Sequence, residues 1–296
     1  MARLKEVENN LVIPYKKHKN NAKTFFILAG VLVFISFLTQ PICLLTFGLF
    51  APITMLIFLS GGACLLLGAY NLNKAEIYKS GLIGEVTSEG VLASLPDDYY
   101  VFPSIEIEFE GKKSQIDHLI VGPTGVFIVE AKNVNGYVVG SEDDKEITIH
   151  KVGQKGGQYQ STMYNPTKQV ATHVYRTSGY LKEQGIHTWV QGMVYFTNPA
   201  STVQLESRNI PVFSESEDGG KEIYNYILNY ENKRLLDKKE VNRIVNAIEK
   251  NLGRQKGPNA TKHPYVTDFD VLENKYKQHQ MAAIISNPIL NNFNNK

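Results

Sequence analysis

From Thr24 to Asn73 the chain carries no charged residue. That uncharged run of about 50 residues is too long for one membrane span and suits two. A break falls at Gln40-Pro41, or within Gly48 to Pro52. The pattern predicts a first helix over Thr24 to Thr39, extending past Pro41 to reach spanning length, and a second over Ile53 to Tyr70. Two other readings compete: a signal peptide and a buried core hairpin. The second apolar segment and the late start of the first speak against the signal peptide. The length of the uncharged run speaks against the core hairpin.

Beyond Asn73 the pattern changes. Asn71 to Lys79 is compatible with helix and leads into Ser80-Gly81-Leu82-Ile83-Gly84-Glu85. A further helix is predicted to about Leu95, with Ile83, Val86 and Ala93 on a buried stripe and Glu85 and Glu89 on another face. Pro96-Asp97-Asp98 ends it. Tyr99 to Phe109 reads as a strand. Two short apolar strands follow within Gln115 to Lys132, joined by a Gly-Pro-Thr-Gly turn. Asn133 to Gly140 and Ile147 to Val152 have strand character, and Gly153 to Gly157 reads as a loop. Asn165-Pro166 starts a helix, with Asn as cap and Pro in the first turn. Val170, Val174 and Leu181 form its buried stripe, and Gly185 stops it. Trp189 to Phe196 and Ile210 to Phe213 read as strands, and Glu222 to Tyr230 and Lys238 to Leu252 as amphipathic helices. That order suits an α/β fold, a mixed central sheet with helices on its faces.

The expected divisions are a basic N-terminal segment (1–23), two transmembrane helices (24–73), a main α/β domain (74–200), a strand and helices packing on it (201–252) and a polar tail (253–296). A net charge of +2 over 296 residues gives no strong nucleic-acid signature and leaves room for a local basic patch. The two cysteines, Cys43 and Cys64, both lie in the apolar run, so neither a disulfide framework nor a zinc site is expected.

The chemistry gathers in Gln115 to Lys132. Gln115 and Asp117 are two apart on one strand, and Glu130 and Lys132 two apart on the next. Strand parity points each pair to one side, so neighbouring strands would bring Asp117, Glu130 and Lys132 to one spot. Such charges are costly inside a protein unless paired or holding a metal. Asp117 and Glu130 are hard oxygen ligands suited to Mg²⁺ or Mn²⁺, with the backbone carbonyl of Ala131 as a further ligand. Glu85 offers a third carboxylate. Lys132 stands where it can orient or deprotonate a water, or stabilise charge on a phosphate under attack. Gln115 and Gln169 can position the water or the phosphate. The plainer alternative is an Asp117–Lys132 ion pair that only fixes strand register, which leaves Glu130 and Glu85 unexplained. His118 reads as a hydrogen-bonded core residue. Packing is the expected use of Tyr159 and Tyr164. Glu142 to Glu146 reads as an acidic turn that would repel nucleic acid near a cleft.

Four motifs occur in order: Gly81-x-x-Gly84-Glu85, Gln115-Ile116-Asp117-His118, Glu130-Ala131-Lys132 and Asn165-Pro166-x-x-Gln169. As a set, over about Gly81 to Phe196, they resemble the nuclease-related domain (NERD), a branch of the PD-(D/E)xK nuclease superfamily. The resemblance implies a restriction-endonuclease-like core. It gives Asp117, Glu130 and Lys132 the places of the catalytic triad, Glu85 that of the first-helix glutamate and Gln169 that of the later-helix glutamine. Ile116 stands where the superfamily has its namesake proline.

The expected function is metal-dependent hydrolysis of phosphodiester bonds in nucleic acid, DNA ahead of RNA, by a membrane-anchored domain. The rival is a non-catalytic membrane-tethered module that binds nucleic acid or protein. Lys16, Lys17, Lys19 and Lys23 precede the apolar run and Lys74 and Lys79 follow it, while the inner loop has none. Both termini and the nuclease-like domain are therefore expected in the cytoplasm. About 15 residues separate Tyr70 from Glu85, ~22 Å if helical, which sets the expected site close to the bilayer. The sequence gives no oligomeric state.

Overall fold

The computed structural model describes residues 1–5, 9–153, 156–231 and 235–255. All but the first few residues of the expected polar tail lie outside them. The chain divides into two compact units, residues 9–82 and residues 1–8 with 83–296.

In the first unit, α1 (Val12–Leu38) is followed by a short α2 (Gln40–Leu45) and then α3 (Ala51–Ala93). α1 begins a dozen residues before the uncharged run, and Pro41 sits in the first turn of α2, where a missing N–H costs nothing. Phe47 and Gly48 take left-handed backbone at φ 48° and 84° and turn the chain. Two helices are long and apolar enough to cross a membrane. Only 11% and 22% of their most apolar stretches are buried, which overturns the core-hairpin reading. Small residues spaced by seven are buried, Ala22, Ala29 and Ser36 on α1 and Thr54, Gly61, Gly68 and Ala75 on α3, with Asn71 and Leu82 buried beside them. A seven-residue repeat winds helices left-handed, and small side chains let their backbones approach. A Cβ added at Gly61 would lie 3.0 Å from Val33 Cγ2, and one at Gly68 would lie 2.8 Å from Phe26 Cε1. The large apolar groups point outward instead, with Phe37 70% and Leu66 75% exposed. Below the apolar run His18 Nδ1 and Asn71 Oδ1 are 2.9 Å apart, and His18 stacks on Tyr78.

α3 departs from the expected break near Ser80. Gly81 and Gly84 are helical, and the helix runs on to Ala93. An interior glycine costs about 1 kcal/mol against alanine, which a close approach can justify. A Cβ at Gly84 would lie 3.0 Å from Asn133 Cβ, at the end of the strand that carries Glu130 and Lys132.

The second unit is built on a six-stranded mixed sheet ordered β1-β2-β3-β4-β8-β10. Its strands are β1 (Arg3–Leu4), β2 (Tyr100–Phe109), β3 (Lys112–Gly122), β4 (Gly125–Lys132), β8 (Val190–Phe196) and β10 (Val212–Ser214). β2, β3 and β4 are antiparallel neighbours, and β4, β8 and β10 run parallel. A four-stranded sheet, β7-β6-β5-β9, joins β5 (Gly136–Ser141), β6 (Glu146–Val152), β7 (Gln158–Tyr164) and β9 (Ser201–Glu206). One face of the larger sheet packs α4 (Pro166–Glu183) and α6 (Lys238–Gln255) over Ile105, Ile116 and Ile128. The other packs the end of α3 and α5 (Gly219–Leu228) over Val101, Phe127 and Tyr195. Burying each such side chain stabilises by about 1.5–3 kcal/mol.

Two features were not foreseen. Arg3 and Leu4, within the expected basic N-terminal segment, pair with β2 as an edge strand of this sheet. Ala2 N–H donates to Ala93 O, Arg3 N–H to Tyr99 O and Lys5 N–H to Val101 O, at 3.1, 2.8 and 2.9 Å. β7 and β9 also complete the smaller sheet, where Tyr159 and Tyr164 are 53% and 49% exposed and not packed away.

Candidate functional site

β3 and β4 stay paired from Gly122 and Gly125 to His118 and Val129, and then part. Where the ladder stops, Asp117 puts its own side chain in the gap: Ala131 N–H donates to Asp117 Oδ2 at 2.9 Å. Ser104, opposite this point on β2, is buried with φ 48°, a left-handed conformation rare for serine. It marks a slip in strand alternation. Phe102 and Ile105 face one core cluster although three residues apart, as do Ile116 and Leu119. The slip undoes the parity that would set Gln115 beside Asp117. Gln115 Nε2 instead donates to Ser104 Oγ at 3.2 Å.

On β4 the parity holds. Lys132 Nζ donates to Glu130 Oε1 at 2.6 Å, and Glu130 is 1% exposed. The second partner of Lys132 comes from α4: Gln169 Oε1 accepts from Nζ at 3.2 Å. α4 is aimed by its cap. Buried Asn165 accepts from Thr167 N–H at 3.1 Å, and its Nδ2 donates to the carbonyls of Ser141 and Asp144, both at 2.8 Å. Ser or Asp would cap the helix but lack the amide donor that ties it to the β5–β6 turn.

Glu85, expected off the buried stripe of its helix and offered as a third carboxylate, is itself buried. It is 7% exposed, close enough that its charge bears on Asp117 and Lys132. Three carboxyl groups therefore lie within electrostatic reach of one ammonium, and one of them, Glu130, touches it. Burial, then Glu130 and Glu85, push Asp117 well above the usual carboxylate range, against the pull of Lys132 and the Ala131 N–H. Burial also works against ionised Glu130, but Lys132 and then His173 outweigh it and hold Glu130 low. Burial likewise opposes the charge on Lys132, and Glu130, Asp117 and Glu85 overcome it, raising its pKa.

His173 was missed in the sequence. It lies on α4, with Nε2 3.5 Å from Glu130 Oε2. Its signal was the four-residue spacing from Gln169, one helical turn on the same face. His118 is a core residue as expected: its Nε2 is 2.6 Å from Ser88 Oγ, and burial lowers its pKa to about 4, leaving it neutral at pH 7. Glu142 is not an open negative patch. Its carboxylate accepts from Ser207 Oγ and Arg208 N–H at 2.9 Å each and from Arg208 Nε at 3.0 Å.

Among the described residues no three His, Cys, Asp or Glu side chains form a group that could hold a metal ion by themselves. A Mg²⁺ ion needs only one or two carboxylates and keeps several waters. Two observations fit it here: the excess of buried carboxyl groups over ammonium, and Glu130 Oε2, which is buried without a hydrogen-bond donor.

No solved structure matches the chain. Over 106 residues it is 33% identical to an uncharacterized protein of Bacillus anthracis, an overlap of 35% of this chain and 48% of that relative. The chain thus matches about half the length of this curated relative. Residues 80–197, which carry Glu85, Asp117, Glu130, Lys132, Gln169 and His173, match the family model of the nuclease-related domain, and that is the domain this segment forms.

Proposed function

We infer that the chain is a membrane-anchored, metal-dependent nuclease that hydrolyses phosphodiester bonds, with DNA the favoured substrate. The observation that carries this reading is the meeting of Asp117, Glu130, Lys132 and Gln169 where β3 and β4 part, with one buried oxygen of Glu130 lacking a donor. Asp117 and Glu130, with the Ala131 carbonyl and Glu85 nearby, would hold Mg²⁺ or Mn²⁺. Such a cation supplies neutralisation of charge at the phosphate and a lowered water pKa. Lys132 is kept charged by its carboxylate neighbours. Its ammonium, steadied by Glu130 and Gln169, stabilises the negative charge that builds on the phosphate oxygens. Asp117 holds the Ala131 amide and so fixes the gap between the strands.

The anchor is a hairpin of α1 and α3. Its outward faces carry large apolar groups and its inner seam small ones, an arrangement suited to lipid and not to water. Residues 1–5 and the domain share one sheet on either side of this hairpin in sequence. That pairing supports an even number of crossings, and the flanking lysines support the cytoplasm as the common side.

The test is incubation of the purified full-length protein in detergent with labelled DNA and RNA in Mg²⁺, Mn²⁺ or EDTA. Cleavage is expected with metal and not with EDTA. Lys132→Ala and Glu130→Gln are each expected to lower the rate by about 10²–10³-fold. Binding without cleavage by the metal-loaded protein would replace this reading with that of a tethered binding module.

A further inference from the structure

One buried group beside the site has no task in this chemistry. His173 is 6% exposed, and neither of its ring nitrogens has a hydrogen-bond partner among the described residues. Buried polar atoms are rarely left so, and each such case asks for an explanation. The nearest charge explains the direction of the ring: Nε2 stands 3.5 Å from Glu130 Oε2, the oxygen that itself lacks a donor. That distance is too long for a good hydrogen bond and short enough for a charge contact.

The register of two elements produces this contact. Glu130 and Lys132 are two apart on β4 and face α4 together. Gln169 and His173 are four apart on α4 and face β4 together. The result is two pairs side by side, Gln169 with Lys132 and His173 with Glu130. Glu130 thereby has a neighbour at each oxygen: Lys132 donates to Oε1, and the imidazole faces Oε2 at 3.5 Å.

We propose that His173 is a positioning residue for Glu130, fixing the rotation of its carboxylate so that Oε2 is presented to a divalent cation while Oε1 remains on Lys132. This rests on the metal-site reading above. Residues that orient a metal-binding carboxylate set the affinity of the site without touching the metal, and their loss weakens binding by about 10–100-fold. An apolar side chain of similar size would fill the same space and leave the carboxylate free to turn. A side-chain amide keeps an N–H and can restore the hold.

The experiment measures Mn²⁺ binding to the full-length protein in detergent, by the electron paramagnetic resonance signal of free Mn²⁺, with no nucleic acid present. His173→Ala is expected to weaken Mn²⁺ binding by about 10–100-fold, and His173→Gln to recover most of it, with both variants melting cooperatively. Equal affinity in His173→Ala and the parent protein overturns the proposal. So does equal weakening in both variants, which a packing defect would give. Thermal unfolding in EDTA of His173→Ala, Glu130→Gln and the double variant judges the contact without metal. Non-additive shifts in Tm support it, and additive shifts overturn it. A parent protein that binds no Mn²⁺ removes the nuclease reading, and the metal-free cycle then decides the role of His173.

Discussion

At the scale of single residues, the sequence made the meeting of Glu130 and Lys132 legible because two-residue spacing on a strand is a rigid rule, and β4 obeys it. Lys132 reaches Glu130 as the parity of the strand requires. Asn165, Pro166 and Gly185 were legible for the same kind of reason, since cap chemistry is local. Gln115 was not, and Glu85 was legible through the four-motif resemblance and not through its helical pattern. Ser104, at φ 48°, breaks the alternation, and Pro103 just before it is the local sign of this, since a proline inside a strand marks an edge or a bulge. Glu85 is buried because Gly84 lets α3 come close to Asn133, a long-range fact invisible to helical periodicity. Glu142 offers a test at this scale. Ser207 and the backbone of Arg208 and Asn209, with the Arg208 guanidinium, hold its pKa down to about 2 against an ordinary 4.5. A depressed carboxylate pKa gives stability above the unfolded value that is lost as pH falls through the folded one. The Glu142 clamp on residues 207–209 is therefore expected to persist at pH 4 and to open as pH approaches 2. The carboxyl carbon shift of Glu142, followed by NMR, checks this. A midpoint near 4.5 would mean that the clamp does not form.

At the scale of elements, the strongly apolar segments were found and the polar ones were not. β8 is buried along its whole length and reads as a strand from composition alone. β7, Gln-Tyr-Gln-Ser-Thr-Met-Tyr, and β9, Ser-Thr-Val-Gln-Leu-Glu, bury little and draw their order from their neighbours β6 and β5. The hairpin was recognised by its lack of charge, but its packing code was overlooked. Charge counting takes no notice of where small residues fall. The seven-residue spacing of Ala22, Ala29 and Ser36 against Thr54, Gly61, Gly68 and Ala75 carries that information. Gly68→Leu should therefore force α1 and α3 apart at Phe26, at a cost of about 1–3 kcal/mol. Leu66→Ala, on the exposed side, should leave the pair intact. Disulfide cross-linking between cysteines introduced at Ala29 and Gly61 in native membranes reads the contact. The Gly68→Leu background should lower the cross-linking yield, and an unchanged yield would refute the small-residue seam.

At the scale of the whole molecule, the least conspicuous strand constrains the most. β1 has two residues, yet it covers the edge of the larger sheet, with backbone hydrogen bonds from Arg3 to Tyr99 and from Lys5 to Val101, and is fastened by Lys5 to Glu249 and by Arg3 to Tyr100 OH. A chain whose first residues and whose domain form one sheet must leave a membrane on the side where it entered. The lysines bordering the apolar run make the same demand through membrane electrostatics, and the two arguments share no assumption. Cysteines placed one at a time at Ser94 and Leu49, in a chain with Cys43 and Cys64 replaced by serine, put this to the test. In intact cells a membrane-impermeant maleimide should label Leu49→Cys, in the turn between the helices, and spare Ser94→Cys, which should react after permeabilisation. Labelling of Ser94→Cys in intact cells would set the nuclease-related domain outside. Deletion of residues 1–5 separates the two causes. If the lysines alone fix orientation, the labelling pattern survives the deletion while the domain loses thermal stability, because β2 is left with an uncovered edge. If Ser94→Cys becomes labelled in intact cells instead, the lysines do not suffice, and pairing of β1 with β2 is needed to fix the orientation.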